Sequence, residues 1–481
     1  MNISPKLLRI CRQLAVFNNV KCSFTKKSIE NLTDLYKSSK NTCYNELSQF
    51  YNQVNPNGVF ANNELDLDEI KIYGFDYDYT LAHYNRNLFQ VIFNLGRNIL
   101  VNELKYPKEL LEFNYMHEYP IRGLHFDKRN GWIMKIDSYH NIHLGTVHSG
   151  LKKISDDEVK QFYNGVHINI EDIGYTQSSQ TMHQFIDLFC LPEIALLSAV
   201  IECFQRKNIQ YSPDYVFNDV KGSIQSLHRT EELHRTISKS LHTFLVPTFS
   251  QGNKEEGSKV KELLRRLRKA DKNTFLITNS KYWFVNIGMT YIIGPDWQNL
   301  FDVIICDARK PDFFKSKTKP FRLFKSDTSN KSWDRITKFE PGKVYYEGNL
   351  FDLLQFTAWT NKKTLYFGDN LYSDLAEPFL KHSWRTAGII RELKYEINVI
   401  NDGRFQSTVA WLTSLERLIS EIMLINSSKL SLEDQLKKKS LEAEWLCERD
   451  SLRKQAKVLY NPYFGSIFRG KFFLYFHHID F

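Results

Sequence analysis

Residues 70–80 read IKIYGFDYDYT, a short apolar run that ends in acids. A run without alternating polar positions marks a strand buried on both faces, and such strands belong to parallel sheets. Its acids then sit at the C-terminal end of the strand, where open α/β sheets bind their ligands. Five later runs repeat the pattern: FLITNS (275–280), FDVIICD (301–307), VYYEG (344–348), TLYFGD (364–369) and RTAGII (385–390). Helical patterns lie between several of them, around 281–291 and 371–382, and alternating β and α segments predict an α/β fold with a doubly wound parallel sheet. A helix is expected over 259–270, with Val260, Leu263, Leu264 and Leu267 on its buried face and Lys and Arg on the other.

Nearly 200 residues separate the first acidic strand from FLITNS, far more than one βα crossover needs, so a whole domain must be inserted there, read as a cap over the site. The expected organisation is a basic N-terminal targeting segment (1–40), a core in two pieces (41–105 and 255–410), the cap (106–254) and a C-terminal helical extension (411–481). That extension is charged, without a sustained heptad or a catalytic pattern, and reads as packing or assembly helices that leave a homo-oligomer open.

With 481 residues, 42% hydrophobic and 25% charged, the chain is neither disordered nor collagen-like. Its seven cysteines form no CxxC pair, which fits neither a zinc site nor a secreted disulfide framework and points to a reducing compartment. No stretch reaches roughly 18 uncharged apolar residues; the most apolar window, 185–204, is broken by Asp187, Pro192, Glu193 and Glu202, so no membrane partner is expected. Six of the nine excess positive charges lie in residues 1–29, which contain no acid, so a nucleic-acid surface is not expected either. In that segment Leu7, Ile10, Leu14 and Phe17 recur at helical spacing against Arg9, Arg12 and Gln13, the pattern of a mitochondrial presequence. A basic arm of a cytoplasmic protein is the alternative.

Asp76 and Asp78 lie two apart and, in an extended backbone, can project to the same side, where two close carboxylates repel unless a cation or a proton intervenes. Asp369 and Asp374 of GDNLYSD add hard oxygen ligands at another strand end, and four such acids call for Mg2+. An Asp beside that ion can attack a phosphoryl group while a second acid protonates the leaving oxygen and then activates water. Asp76 fits the nucleophile and Asp78 the acid/base, with Thr278 and Lys310 as donors to the phosphoryl oxygens. Tyr73, Phe75, Tyr77 and Tyr79 read as core rather than as base-stacking rings. His83, His125, His140, His143 and His148 follow no zinc spacing and read as structural.

The motifs FDYDYT, ITNS, DARKP and GDNLYSD resemble the four motifs of the haloacid-dehalogenase-like phosphohydrolases. From about residue 45 to about 468, segments such as IRGLHFDKRNGWIMKID, KVYYEGNLFD and LYFGDNLYSDL resemble the 5′-nucleotidase domain-containing proteins, relatives of the cytosolic purine 5′-nucleotidase. The resemblance implies a haloacid-dehalogenase-like core and Mg2+-dependent hydrolysis of nucleoside 5′-monophosphates through an aspartyl-phosphate. It makes Asp76 nucleophile and metal ligand, Asp78 the acid/base whose backbone carbonyl also meets Mg2+, Asp369 a direct ligand and Asp374 a support of the metal site. Thr278, Asn279, Ser280 and Lys310 would hold the phosphate, and Arg122, Asp127 and Lys135 match a substrate-contacting segment. KRNG after RGLHFD and the closing KFFLYFHHIDF depart from the family, the latter giving the expectation of a chain that ends early. The rival readings are a weakly active or inactive nucleotidase-fold protein acting through protein interactions, and a phosphatase for sugar phosphates or phosphoproteins.

Overall fold

Ile72–Phe75 (β1) is buried along its whole length, as its apolar sequence requires. A computed structural model describes residues 27–45, 53–62, 64–173, 181–247, 257–325 and 330–468. In it β1 is joined by Asn273–Ile277 (β2), Val303–Cys306 (β3), Phe321–Lys325 (β4), Asn330–Lys331 (β5), Val344–Glu347 (β6), Thr364–Gly368 (β7) and Arg385–Gly388 (β8). Their order across the sheet is β5-β4-β6-β3-β2-β1-β7-β8. From β6 to β8 all neighbours are parallel, and β4 and β5 add an antiparallel edge. The chain therefore steps one way from β1 to β3 and on to β6, then resumes on the other side of β1 with β7. The carboxyl ends of β1 and β7 meet at this reversal, the place where an open α/β sheet leaves a crevice.

All six apolar runs of the sequence contribute strands; β2 begins two residues earlier, at Asn273, and β8 at the edge of the sheet is exposed at both ends and half-buried between them. Gly74 matters within β1, because a Cβ there would lie 2.1 Å from the ring of Phe275. That ring is fully buried and carries the packing on to Tyr366 and Trp384. The expected helix before β2 spans Gly257–Lys269. Its buried face is narrower than the sequence reading: Val260 and Leu264 are buried, whereas Leu263 flanks their i, i+4 row and is 38% exposed. The expected helix over 371–382 is two elements, a π-helical turn, Leu371–Ala376, and a short helix, Glu377–His382.

Between β1 and β2 lies a second, five-stranded sheet, antiparallel throughout, ordered Lys152–Lys153, His148–Ser149, Trp132–Lys135, Leu124–Asp127, Met182–Gln184. It has a core of its own, including Met134, Ile142, Val147, Val159 and Met182. Helices Cys190–Arg206 and Pro213–Arg229 follow it in the chain. All of these elements belong to one unit, Ala61–Ile390.

The other unit joins residues up to Phe60 with those from Arg391 onward. Its helices Lys27–Asn45, Gly403–Leu424 and Leu432–Tyr460 share a core that includes Ile29, Leu32, Trp411, Leu415, Ile422 and Trp445. Asp402 and Ser431 cap the last two by accepting backbone N–H bonds of the first turn. Tyr36 stacks on Trp445 with ring centroids 5.2 Å apart and meets the edge of Trp411 at 5.1 Å. The Tyr36 hydroxyl, the Lys40 ammonium (2.6 Å) and the Trp411 indole N–H (3.0 Å) all donate to Glu448. Burial pushes the Glu448 carboxyl up, but the three donors outweigh it and hold the group below its ordinary range. Residues 27–40 thus belong to a packed helix, while the rest of the expected targeting segment, 1–26, and the C-terminal residues 469–481 lie outside the described residues. Trp445→Ala is expected to lower the stability of this helical unit by about 3–5 kcal/mol, read as a shift of its denaturant midpoint.

Candidate active site

The first strand hands its acids to a tight turn. The Asp76 amide makes a last bond to the Phe367 carbonyl at 2.9 Å, and the chain then folds back so that the Tyr77 carbonyl accepts from the amides of Thr80, Leu81 and Ala82. Tyr79 takes a positive φ of 54° to complete the turn. The extended geometry that would aim Asp76 and Asp78 to one side therefore stops short of both. Asp78 instead receives the Tyr84 hydroxyl at 2.5 Å and the Ser280 hydroxyl at 2.6 Å.

Asp76 meets two other acids. Asp369 follows β7, the parallel neighbour of β1, and Asp374 is brought back by the π-helical turn, whose first amides, Tyr372 and Ser373, bond to the Asn370 side chain. Gly368 makes room for this return, since a Cβ on it would lie 2.3 Å from the Asp374 Cβ. Asp76, Asp369 and Asp374 are all buried and each offers a carboxylate oxygen within 4.8 Å of the others. Among the described residues this is the one group arranged to hold a metal ion.

Lys310 reaches the same point from the loop after β3. Its backbone is clamped by Asn279, which accepts from the Lys310 amide at 2.6 Å and donates to the Lys310 carbonyl at 3.1 Å. Its ammonium lies 2.9 Å from Asp76, 2.7 Å from Asp374 and 3.2 Å from the Tyr366 hydroxyl. Thr278 is fully buried and its hydroxyl accepts from the Ser280 amide at 3.1 Å, so it shapes the turn that aims Ser280 at Asp78.

Burial is the largest influence on every acid here whose titration is displaced. It pushes Asp76 up, reinforced by Asp374 and Asp78 and opposed by Lys310. It pushes Asp78 up against the bonds from Ser280 and Tyr84. Asp369 is raised well above the carboxylate range by burial and by Asp187, Asp76 and Asp374, with Arg122 opposing. Burial also works against the Lys310 charge, yet Asp374 and Asp76 outweigh it and hold the ammonium far above its usual range. With all three carboxylates ionised against one ammonium, two negative charges would stand in a desolvated space, which is what burial opposes. A divalent cation with a preference for hard oxygens would balance them.

The other sequence-derived residues divide. Arg122 is buried and donates to the Asp369 carbonyl at 3.1 Å, so it touches the acid cluster. Asp127 is committed elsewhere, accepting from Asn130 at 2.6 Å and the Arg129 amide at 2.9 Å within its own hairpin and from the Tyr163 hydroxyl at 2.6 Å. Lys135 is buried in the second sheet, and neither it nor Asp127 lines the cavity at the acids. Tyr73, Phe75, Tyr77 and Tyr79 are all buried as core. Of the five histidines, His83, His125, His143 and His148 are buried, and none joins a metal-binding group among the described residues.

A cavity of about 690 Å³ opens at Asp76, Asp78, Lys310, Asp369 and Asp374. Part of its wall comes from residues that the motifs did not mark, notably Asp187, Glu193, Lys221 and His228. Asp187 accepts from the Asn370 side chain at 2.9 Å, tying this wall to the turn that carries Asp374. Their trace in the sequence was the presence of Asp187 and Glu193 inside the most apolar window of the chain. Lys310→Met should destabilise the protein by about 3–5 kcal/mol in EDTA by leaving Asp76 and Asp374 uncompensated. Adding Asp374→Asn should recover part of that loss in the same urea titration.

Comparison with known proteins places these residues in a family context. The model of the 5′ nucleotidase family matches residues 59–472. The chain is 39% identical over 418 residues to 5′-nucleotidase domain-containing protein 2 of Homo sapiens, an alignment covering 86% of this chain and 77% of that protein. The Rattus norvegicus protein of the same name gives the same identity over 86% of this chain and 72% of its own length. A 5′-nucleotidase domain-containing protein of Dictyostelium discoideum is 34% identical over 450 residues, 92% of this chain and 71% of that one.

Proposed function

The chain belongs to the 5′-nucleotidase family, and from that premise we propose that it hydrolyses nucleoside 5′-monophosphates with Mg2+ through an aspartyl-phosphate on Asp76. The observation that carries the proposal is the buried group of Asp76, Asp369 and Asp374 around the Lys310 ammonium, at the point where the strand order reverses. In this reading the parallel sheet is a doubly wound, haloacid-dehalogenase-like core, and residues 106–254 form the cap that selects the nucleoside.

Asp76, Asp369 and Asp374 would hold the ion, joined by the Asp78 backbone carbonyl as the family resemblance implies. When bound, it would act as a Lewis acid toward the phosphoryl oxygens and keep the carboxylates ionised beside an anionic substrate. Asp76 attacks phosphorus as the bond to the ribose O5′ breaks, and Asp78 gives its proton to the departing oxygen. Asp78 then takes a proton from water, the water oxygen attacks phosphorus, and cleavage of the bond to Asp76 releases inorganic phosphate and restores the carboxylate. Lys310 meets the charge on the transferring group. Asn279 fixes Lys310, and Thr278 and Ser280 fix Asp78, so the motif residues act through position as well as contact.

Phosphate release from a panel of nucleoside 5′-monophosphates is expected to require Mg2+, to stop in EDTA and to fall at least about 10³-fold in Asp76→Asn. A folded protein that releases no phosphate from any of them would sink the proposal. We also infer that the acid-free N-terminal segment is a mitochondrial address. Residues 1–26 fused to a fluorescent reporter should carry it into mitochondria, and a diffuse cytosolic signal would count against that.

A further inference from the structure

A second cavity, of about 380 Å³, shares no lining residue with the one at the acids. Lys315, Ser316 and Lys317, which follow Lys310 in the chain, form one side of it. Lys381 and His382, at the end of the helix that follows the turn of Asp374, form another. These sides are tied together. The His382 Nε2 donates to the Phe314 carbonyl at 2.8 Å, and the Lys315 ammonium stands 5.5 Å from the centre of the Tyr372 ring. Helix Leu350–Thr357 supplies an apolar side, on which Leu350 is buried while Phe351 is 58% exposed. The volume falls among those of small-molecule sites, about 300–1,000 Å³.

The polar groups of this wall have spent their acceptors and kept their donors. An indole N–H can only donate, so Asn361 turns its oxygen to Trp384 at 2.8 Å and keeps its NH2 group. The Ser316 oxygen accepts from the amides of Thr318 and Lys319, at 3.3 and 3.2 Å, which leaves its O–H to donate. Lys381 is paired with Glu377 at 2.6 Å. Lys315 and Lys317 have no carboxylate partner among the described residues, and no carboxylate lines the cavity. Burial holds the His382 ring below its ordinary range, so it adds no charge near neutral pH. Two uncompensated ammonium groups, two neutral donors and an apolar side remain to be matched. We propose that this cavity is a second ligand site, for a small organic anion with a doubly charged oxygen head and an apolar body. A phosphate monoester and a dicarboxylate share that chemistry.

The test is calorimetric titration of the full chain, in EDTA, with octylphosphonate and octylmalonate at a pH where both heads are dianionic. One of the two should bind, and the tighter one names the head group. Methylphosphonate and methylmalonate, which keep the heads and lose the body, should bind at least about tenfold more weakly, because each buried CH2 is worth about 0.8 kcal/mol. Lys315→Glu combined with Lys317→Glu should weaken the octyl ligand at least about tenfold through loss of the charged donors. Lys221→Glu, in the wall of the other cavity, should leave its affinity within about twofold. If the double variant does not fold, Phe351→Ser takes its place under the same tenfold criterion. The proposal is overturned if neither octyl ligand binds, if the methyl compounds bind as tightly, if the substitutions at this cavity leave the affinity intact, or if Lys221→Glu abolishes it. No arm involves turnover, so the result stands apart from the fate of the hydrolysis reading.

Discussion

A single buried ammonium holds the site together. Lys310 stands within ion-pair distance of Asp76 at the end of β1 and Asp374 after β7, two segments far apart in sequence that would otherwise bring like charges together. Its own charge survives burial only because those carboxylates are there. Each partner is costly without the other, so the arrangement forms as a whole or not at all. Much of the surrounding structure serves it: the Asn279 clamp fixes the lysine backbone, and the space at Gly368 admits the returning Asp374.

The parallel sheet was legible because most of its strands are apolar runs buried along their length, closed by acids or by Thr-Asn-Ser; β8 at the edge is the exception. The acids themselves were legible as types and positions but not as directions. Asp78 sits in a turn in which three amides converge on the Tyr77 carbonyl, and no periodicity announces that turn. Asp127 has the residue type suited to a base contact, yet a neighbouring Asn, an Arg amide and Tyr163, 36 residues further on, use its oxygens. Glu193 and Lys221 escaped the reading for the opposite reason. They come from two helices with no motif, and only tertiary packing sets them on one cavity.

The helical unit shows how local composition can mislead about role. Residues 27–40 carry lysines and follow a basic segment, which favours reading them as part of an address. Their apolar positions, Ile29, Leu32 and Tyr36, are buried or stacked against helices that begin more than 350 residues later. A spacing pattern within 20 residues cannot reveal a partner at that distance.

That distance also sets an order of events during synthesis. The segment Lys27–Asn45 emerges first, but its packing partners Gly403–Leu424 and Leu432–Tyr460 are made last. At about 5–20 residues per second the wait is on the order of tens of seconds. The intervening unit, Ala61–Ile390, is complete in the chain before the helical core can close. On a ribosome the sheet and its acids can therefore assemble while Ile29 and Leu32 remain unburied, and the two ends of the chain join as the final step.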